Sequence, residues 1–139
     1  MNSGLIFFMA FILIAGMVLF TLMSRQKSRV MTLNKTKIQA KWLKIEQSLV
    51  QGEQASYHLA VLEADKFLDF ILRAGRFKGE TMADRMRSAE KHFKNKNAVW
   101  AAHKLRNQIA HETDFEANYG QAMKALLNYK QGLKDLGAL

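Results

Sequence analysis

The apolar positions of this chain fall into two different patterns. Residues 4–23 form a continuous run without a charged side chain, dominated by Leu, Ile, Phe, Met, Val and Ala. After this run, apolar residues recur at spacings of three and four, as Ile38, Trp42, Ile45 and Leu49 do. The first pattern predicts a helix that is apolar on every side, and the second predicts amphipathic helices with one buried face.

Five amphipathic helices are expected after the apolar run, because glycine, asparagine and threonine residues interrupt the pattern at intervals. We place them at about 33–51, 54–74, 81–94 and 98–112, with the last running from about 113 toward 139. The second is apolar on more than one side, which is typical of a central helix. No proline and no alternating strand pattern occur. The fold class is therefore predicted to be all-α, an apolar N-terminal helix followed by an antiparallel bundle of about five helices.

Short polar patterns indicate where the helices begin and end. Thr81 and Thr113 each precede an acidic residue by three positions, which is the pattern of a capping box, and Asn97 is placed to cap the fourth helix. The stretch 75–79 carries two glycines around a basic and aromatic turn. It lacks the Gly-x-x-x-x-Gly-Lys-Ser/Thr pattern of a phosphate loop, so we interpret it as the turn that ends the second helix.

The apolar run has the length of a membrane-spanning helix. Its 20 residues (4–23) rise by about 1.5 Å each, which covers ~30 Å of hydrocarbon. A cleaved signal peptide is the alternative, but no basic residue precedes the run and no small-x-small cleavage site follows it. We therefore divide the chain into a transmembrane anchor (1–24), a basic juxtamembrane segment (25–32) and a helical bundle (33–139).

Basic side chains are concentrated directly after the anchor. Seven lie between residues 25 and 44, where no acidic residue occurs, whereas residues 45–139 carry 14 basic and 12 acidic side chains. By the positive-inside rule, this asymmetry predicts a single-pass protein of the cell membrane, with its N-terminus outside and its C-terminal domain in the cytoplasm. The expected lipid partners are the bilayer core and, at the juxtamembrane basic segment, anionic headgroups.

A second group of basic residues surrounds the turn before the fourth helix. Its members are Arg85, Arg87, Lys91, Lys94, Lys96, Lys104 and Arg106. A group of this kind can follow a phosphate backbone, and its four lysines are candidate RNA contacts. A solvated helix face has the same composition, so a purely structural interpretation stands beside this one.

The residue types give no support for metal, cofactor or covalent chemistry. The chain has no cysteine, and its four histidines do not form a His-Glu-x-x-His pattern. We therefore expect neither a metal nor a cofactor. His58 and His103 are interpreted as core histidines whose hydrogen bonds are satisfied within the fold.

The fourth helix places an arginine among its apolar positions. Arg106 lies on the same arc as Leu105 and the other apolar residues, so its guanidinium needs a carboxylate or a phosphate as partner. Acidic residues of the second helix are the natural source of a carboxylate. We favour Glu63 over the nearby Asp65 and Asp69, although periodicity alone does not single it out.

A second sector of the same helix carries an aromatic residue beside polar ones. Trp100, Asn107 and His111 lie together there, more than a quarter turn from Arg106. A large aromatic side chain on a partly polar face suggests contact with something other than water. Trp100 is therefore the candidate interface residue.

The pattern Arg106-Asn107-x-x-x-His111 resembles the signature of HEPN domains, small helical bundles with an arginine, a polar residue and a histidine on one helix. The order of helices from about residue 32 to residue 139 is similar as well. Many members of that family are metal-independent RNA endonucleases in which the motifs of two subunits face each other, and others are RNA-binding or assembly modules.

The resemblance implies a catalytic role for each motif residue. His111 would exchange a proton with the 2′-hydroxyl or the leaving oxygen, Arg106 would hold the scissile phosphate, and Asn107 would orient a ligand. It also implies a homodimer and a product with a 2′,3′-cyclic phosphate.

Two functions follow from these residues. In the first, the cytoplasmic domain is a candidate metal-independent endonuclease or RNA-binding module that acts as a dimer. In the second, it is a non-enzymatic, membrane-tethered interaction or assembly module in which the motif is structural. Arg106 and His111 are separated by about 140° around the helix, so one helix does not bring them together and a dimer would have to supply the second motif.

Overall fold

The computed structural model describes residues 3–25 and 33–139, and all regular structure in these ranges is helical. The helices are α1 (Ser3–Arg25), α2 (Lys35–Gln47), α3 (Gln54–Ala74), α4 (Met82–Ala89), α5 (Lys96–His111) and α6 (Tyr119–Asp135). A short 3-10 turn, Glu90–His92, follows α4. The predicted all-α class, with about five helices after the N-terminal one, is confirmed for the described ranges. The predicted juxtamembrane segment lies outside them, apart from its first residue.

Helix α1 has the composition and length of a membrane-spanning helix. Its 19 residues Ser3–Thr21 include no buried side chain. Leucine, isoleucine and phenylalanine side chains therefore face outward on every side, where water would solvate them poorly. An apolar helix of this length is able to cross a bilayer.

The core of the bundle lies between α3, α5 and α6, which pack against one another, while α2 and α4 pack against α3. Helix α3 has the bounds that the sequence predicts, and it is the central helix. Its buried face carries Val61, Leu68 and Leu72, all at 0% exposure. Helix α2 adds Trp42, whose ring stacks on that of Phe67 with centroids 6.1 Å apart. Helix α2 ends at Gln47, four residues before the predicted end.

The predicted cap of α4 is confirmed. The Thr81 hydroxyl accepts a hydrogen bond from the backbone N–H of Asp84 at 3.1 Å, and the Asp84 carboxylate accepts one from the N–H of Thr81 at 3.1 Å. The Thr81 hydroxyl also donates to Asp84 Oδ2 at 2.7 Å, and this bond, together with the one from the Thr81 N–H, lowers the pKa of the Asp84 carboxyl. The helix ends at Ala89 rather than near Lys94, because the chain tightens into the 3-10 turn.

Arg85 is buried, although the sequence places it in the basic group before the fourth helix. Its Nε and Nη2 donate to the two carboxylate oxygens of Asp69 at 2.7 and 3.0 Å, and its Nη1 donates to the carbonyl of Gly79 at 2.9 Å. Its exposure is 5%. This bidentate pair ties α4 to α3, so Arg85 does not belong to the exposed basic surface.

The stretch 75–79 ends α3, as predicted. The N–H of Arg76 bonds to the carbonyl of Arg73, and that of Phe77 bonds to the carbonyl of Leu72. These two bonds form a Schellman motif. Its left-handed position is occupied by Arg76 at φ 56°, where glycine is the usual residue.

The predicted starts of α5 and α6 are wrong. Helix α5 is capped by Asn95 instead of Asn97, since the Asn95 side chain accepts from the N–H of Ala98 at 3.1 Å. Helix α6 starts behind Asn118, whose side chain and that of Gln121 each accept the other's backbone N–H at 2.9 Å. No helix begins at Thr113.

The link between α5 and α6 is attached to the start of α3. The N–H of Ala117 donates to His58 Nε2 at 3.2 Å, and the carbonyl of Ala117 accepts from Gln54 Nε2 at 2.7 Å. Both bonds hold the link in a non-helical path. This attachment explains why the capping pattern at Thr113 is not used, and it confirms the structural role expected of His58.

Candidate functional site

A carboxylate buried in the middle of α3 organises the site. Asp65 has an exposure of 2% and lies on the same face as Val61 and Leu68. A charge buried this deeply is tolerated only when it is paired and hydrogen-bonded. Its partners come from both helices that pack against α3.

Three side chains contact the Asp65 carboxylate. His103 Nδ1, from α5, lies 2.7 Å from Oδ1, and the Tyr129 hydroxyl, from α6, donates to the same oxygen at 2.8 Å. Arg106 Nε, also from α5, lies 3.1 Å from Oδ2. A single carboxylate therefore links all three central helices of the bundle.

Arg106 is held at one edge and exposed at the other. Its Nε forms an ion pair with Asp65, although the N–H does not point along a hydrogen bond. Its Nη1 donates to Asn107 Oδ1 at 2.9 Å. The side chain is 28% exposed. The side chain is thus fixed in orientation while part of its surface stays accessible from outside.

The expectation that Glu63 pairs with Arg106 is corrected by these contacts. Glu63 Oε1 lies 3.4 Å from Lys66 Nζ in a solvent-exposed pair one turn along α3. Glu63 and Asp65 differ by about 200° around the helix, so only one of them can point into the bundle. The inward residue is Asp65.

Burial and the neighbouring carboxylate change the acidity of Tyr129. Burial raises the pKa of its hydroxyl well above the usual value, and the charge of Asp65 and the hydrogen bond to it raise it further. Tyr129 therefore stays protonated and serves as a hydrogen-bond donor. In this position it stabilises Asp65 in the charged form that Arg106 needs.

His103 has the structural role that the sequence predicts. Its exposure is 7%, and a carboxylate accepts hydrogen bonds but does not donate them, so its Nδ1 carries the proton shared with Asp65. Its ring also packs edge-on against Trp100, with centroids 6.0 Å apart.

His111 stands apart from the buried network. It is the last residue of α5 and is exposed. Within residues 33–139, no hydrogen bond or ion pair joins it to Arg106 or Asn107. The structure of a single subunit brings Arg106 and Asn107 together, but it does not bring His111 to them.

Trp100 is half-buried and bonded to the turn before its helix. Its Nε1 donates to Glu90 Oε1 at 3.0 Å, and Lys96 Nζ donates to Oε2 of the same carboxylate at 3.1 Å. The hydrogen bonds from Lys96 and Trp100 lower the pKa of the Glu90 carboxyl. Part of the Trp100 surface therefore serves the fold, and part remains open to a partner.

The candidate RNA contacts Lys91, Lys94, Lys96 and Lys104 are all exposed. Two of them, with other residues of the turn, line an open pocket of about 560 Å³ formed by Arg87, Ser88, Glu90, Lys91 and Lys96. Three cations face one carboxylate there. Arg87 pairs with Asp84 and Lys96 pairs with Glu90, so Lys91 is the lining cation that has no ion pair among the described residues.

Sequence reasoning ranked Asp65 behind Glu63 and missed Tyr129, although both leave a signal. Asp65 lies four residues after Val61 and three before Leu68, which places it on the buried arc of α3. Tyr129 lies three residues after Leu126 and four before Leu133, on the buried arc of α6. A polar residue at the centre of an apolar arc indicates a buried network, and this criterion would have separated Asp65 from Glu63.

Among residues 3–25 and 33–139, no group of three or more histidine, cysteine or acidic side chains is arranged to hold a metal ion. No protein-family model, curated protein or solved structure matches this chain. The resemblance to HEPN domains is an expectation from the sequence alone, from residues 106–111 and the predicted order of the helices.

Proposed function

We propose that this protein is a membrane-anchored, HEPN-like helical domain that faces the cytoplasm and acts on RNA as a homodimer. One observation carries the proposal. Arg106 is oriented by the buried Asp65 while its guanidinium stays partly exposed, and Asn107 lies bonded beside it. A fixed, accessible guanidinium is suited to hold a phosphate, because its geometry does not have to form anew on binding.

The proposed reaction is transesterification of an RNA phosphodiester. His111 removes the proton of a 2′-hydroxyl, the 2′-oxygen attacks the adjacent phosphorus, and the bond to the 5′-oxygen of the next nucleotide breaks. A protonated histidine returns the proton to that leaving oxygen. The products are a 2′,3′-cyclic phosphate and a free 5′-hydroxyl, and Arg106 balances the charge on the phosphate.

A two-fold dimer would unite groups that one subunit keeps apart. His111 is exposed at the end of α5, whereas Arg106 is held near the middle of the bundle by Asp65. In a dimer with α5 at the interface, His111 of one subunit can approach Arg106 of the other. The open part of Trp100 would then supply apolar contact area.

The alternative is a non-enzymatic, membrane-tethered interaction or assembly module. One specific observation favours it: the Asp65 carboxylate already compensates the charge of Arg106. In that case Arg106 and Asn107 complete the packing of α5 against α3, and His111 is an ordinary surface residue.

The two functions are separated by an RNA cleavage assay with the full-length chain in detergent. Mixed RNA is incubated with chelator, and products are tested for 2′,3′-cyclic phosphate ends. We expect cleavage by the wild type and a loss of at least about a hundredfold for His111→Gln, which is the size of a general acid–base contribution.

Control variants keep the assay interpretable. Because Arg106→Ala removes the counter-charge of Asp65, Arg106→Lys is used beside it, and circular dichroism verifies the fold of each variant. Exposed His111 can be replaced without disturbing the core, and His58→Gln is the matched change at a structural histidine. Cleavage that survives His111→Gln, or no cleavage by the wild type, would leave the assembly module as the function.

Light scattering of the same protein tests the dimer. The composite site requires two chains per particle after the mass of the detergent is subtracted. A chain that is strictly monomeric at the concentration of the cleavage assay is incompatible with it.

A further inference from the structure

One side of α2 carries basic side chains that are not paired with acidic residues. Lys37, Lys41 and Lys44 are all exposed, and they lie within an arc of about 60° around the helix. Within the described residues, none of the three forms an ion pair. The single acidic residue of α2, Glu46, points about 140° or more away and pairs with Lys130 of α6 at 2.6 Å.

An exposed aromatic side chain of α3 adjoins this basic side. Phe70 is 45% exposed. Lys41 Nζ lies 5.5 Å from the centroids of both Phe67 and Phe70, which is within the range of a cation–π contact. Phe67 is buried beneath, at 1% exposure. Lys41 therefore connects the basic side of α2 to the solvent-exposed apolar surface of Phe70.

The position of α2 in the chain keeps its basic side close to the end of α1. Helix α1 ends at Arg25 and α2 begins at Lys35. Ten Cα–Cα steps span at most about 35 Å even when fully extended. If α1 is in a bilayer, α2 is held at a high effective concentration next to the membrane surface.

We propose that Lys37, Lys41, Lys44 and Phe70 form a docking face through which the folded bundle rests on an anionic membrane. Lysines near such a surface are attracted to the phosphate and carboxylate groups of lipids. An aromatic side chain beside them inserts at the boundary between headgroups and acyl chains. The docking face is separate from the RNA-binding surface proposed above, and it depends only on α1 being in the membrane.

The geometry favours a membrane over a nucleic acid as the occupant. The lysines that are candidate RNA contacts lie on the turn before α5 and on α5 itself. The docking face lies on α2 and α3. The docking face is also on the helix that follows the apolar α1 in the chain. Its partly exposed phenylalanine is packed under a lysine, as expected of a surface that meets both headgroups and acyl chains.

The test measures the depth of a spin label on the full-length chain in lipid vesicles. The chain has no cysteine, so a single Lys66→Cys substitution gives one labelling site. Lys66 lies one turn from Phe70, and its side chain is 68% exposed. Ala101→Cys, an exposed position on α5, reports the depth of a helix outside the docking face.

In vesicles of phosphatidylcholine with phosphatidylglycerol, we expect the label at residue 66 to collide with a water-soluble nickel chelate at least twofold less often than in phosphatidylcholine alone. The label at residue 101 should show no such difference. Replacement of Lys37, Lys41 and Lys44 by glutamine should remove the protection. Each lysine contributes about a factor of five to the membrane affinity of the docking face, so replacement of all three should lower this affinity about a hundredfold.

Matched variants separate docking from general charge effects. The control variant replaces Lys91, Lys94 and Lys104 by glutamine. It lowers the net charge by the same amount as the docking-face variant and should leave the protection at residue 66 intact. Phe70→Ala should reduce it. Equal accessibility at residue 66 in the two vesicle types would overturn the proposal. So would protection that appears only when RNA is added, since the face would then bind nucleic acid.

Discussion

At the scale of single residues, Asp65 explains why Arg106 can occupy an apolar arc. The carboxylate and the guanidinium compensate each other in charge, and the Tyr129 and His103 side chains both bond to Oδ1. Each of the four groups would be unfavourable in this environment alone. Their positions are mutually dependent, so a change at one should be felt at the others.

Asp65→Asn should lower the free energy of unfolding by about 2 kcal/mol, because Arg106 loses its counter-charge in a partly buried position. Chemical denaturation of the full-length chain in detergent, followed by circular dichroism, measures the change. Glu63→Gln is the matched control, since its pair with Lys66 is exposed and should contribute less than about 0.5 kcal/mol. Equal losses for the two variants would contradict the central role of Asp65.

Tyr129 should make the fold sensitive to alkaline pH. The unfolded chain releases the phenolic proton near pH 10, whereas the folded chain retains it because the pKa of Tyr129 is raised. The unfolded state then binds fewer protons, so stability is full below about pH 10 and falls above it, by at most about 1.4 kcal/mol per pH unit.

The measurement is the free energy of unfolding between pH 8 and 11 for the wild type and Tyr129→Phe. Lysines also titrate at alkaline pH, so the informative quantity is the difference between the two slopes. Tyr119→Phe, at a half-buried ring, controls for the loss of a hydroxyl. Parallel slopes for the wild type and Tyr129→Phe would rule out this contribution.

The sequence alone predicts a buried arginine that needs an acidic partner, but not which partner. Glu63 and Asp65 are two positions apart, and the choice between them depends on how α3 is rotated against α5. That rotation is decided by the packing of Val61, Leu68 and their neighbours from three helices at once. Local patterns do not contain this information, although the apolar residues on both sides of Asp65 indicate that it points inward.

At the scale of helices, the long apolar patterns are predicted well and the ends are not. The predicted bounds of α3 are the observed ones, because Gln54–Ala74 is strongly apolar and closes at a glycine. Helices α5 and α6 begin elsewhere because two capping residues compete for each start. At α6 the cap is Asn118. The contacts of Ala117 with His58 and Gln54 of α3, which are distant in sequence, determine this choice.

Gly79 should be far less replaceable than Gly52. A methyl group at Gly79 would lie 2.5 Å from Asp84 Cβ and 2.6 Å from the backbone nitrogen of Arg85, and its φ is 151°. We expect Gly79→Ala to cost at least about 2 kcal/mol, because α4 must move and the pairing of Arg85 with Asp69 is disturbed. Thermal unfolding compares the variants.

Gly52→Ala isolates the cost of backbone conformation. Gly52 has φ 93°, and a methyl group there meets no atom within 4 Å. Its loss should be about 1 kcal/mol. If Gly79→Ala is no worse than Gly52→Ala, the close approach between the 75–79 turn and α4 is not important for stability.

At the scale of the whole molecule, an apolar helix and a basic, polar bundle are joined in one chain. The described helices account for both predicted parts, and the proposed orientation is based on the basic residues that follow α1 in the sequence. Orientation depends on the insertion process and on the membrane, so neither helix positions nor burial determine it.

Protease added outside intact cells should spare the bundle and cleave it only after the membrane is permeabilised. A tag behind residue 139 reports the cleavage, and a periplasmic or extracellular protein of known location serves as the positive control. Digestion of the tag in intact cells would reverse the proposed topology. Recovery of a soluble bundle that lacks α1, without added protease, would identify α1 as a cleaved signal.

The contacts of Asp65 also constrain when the bundle can form. Tyr129 lies 64 residues after Asp65, and its hydroxyl joins α6 to α3. During synthesis, α3 is complete well before α6 exists, so its buried face lacks most of its cover and its carboxylate stays hydrated. The core can therefore close only after α6 has been synthesised, which is long after the synthesis of α1. In that interval the apolar side of α3 is exposed, which is the condition under which incompletely folded chains aggregate.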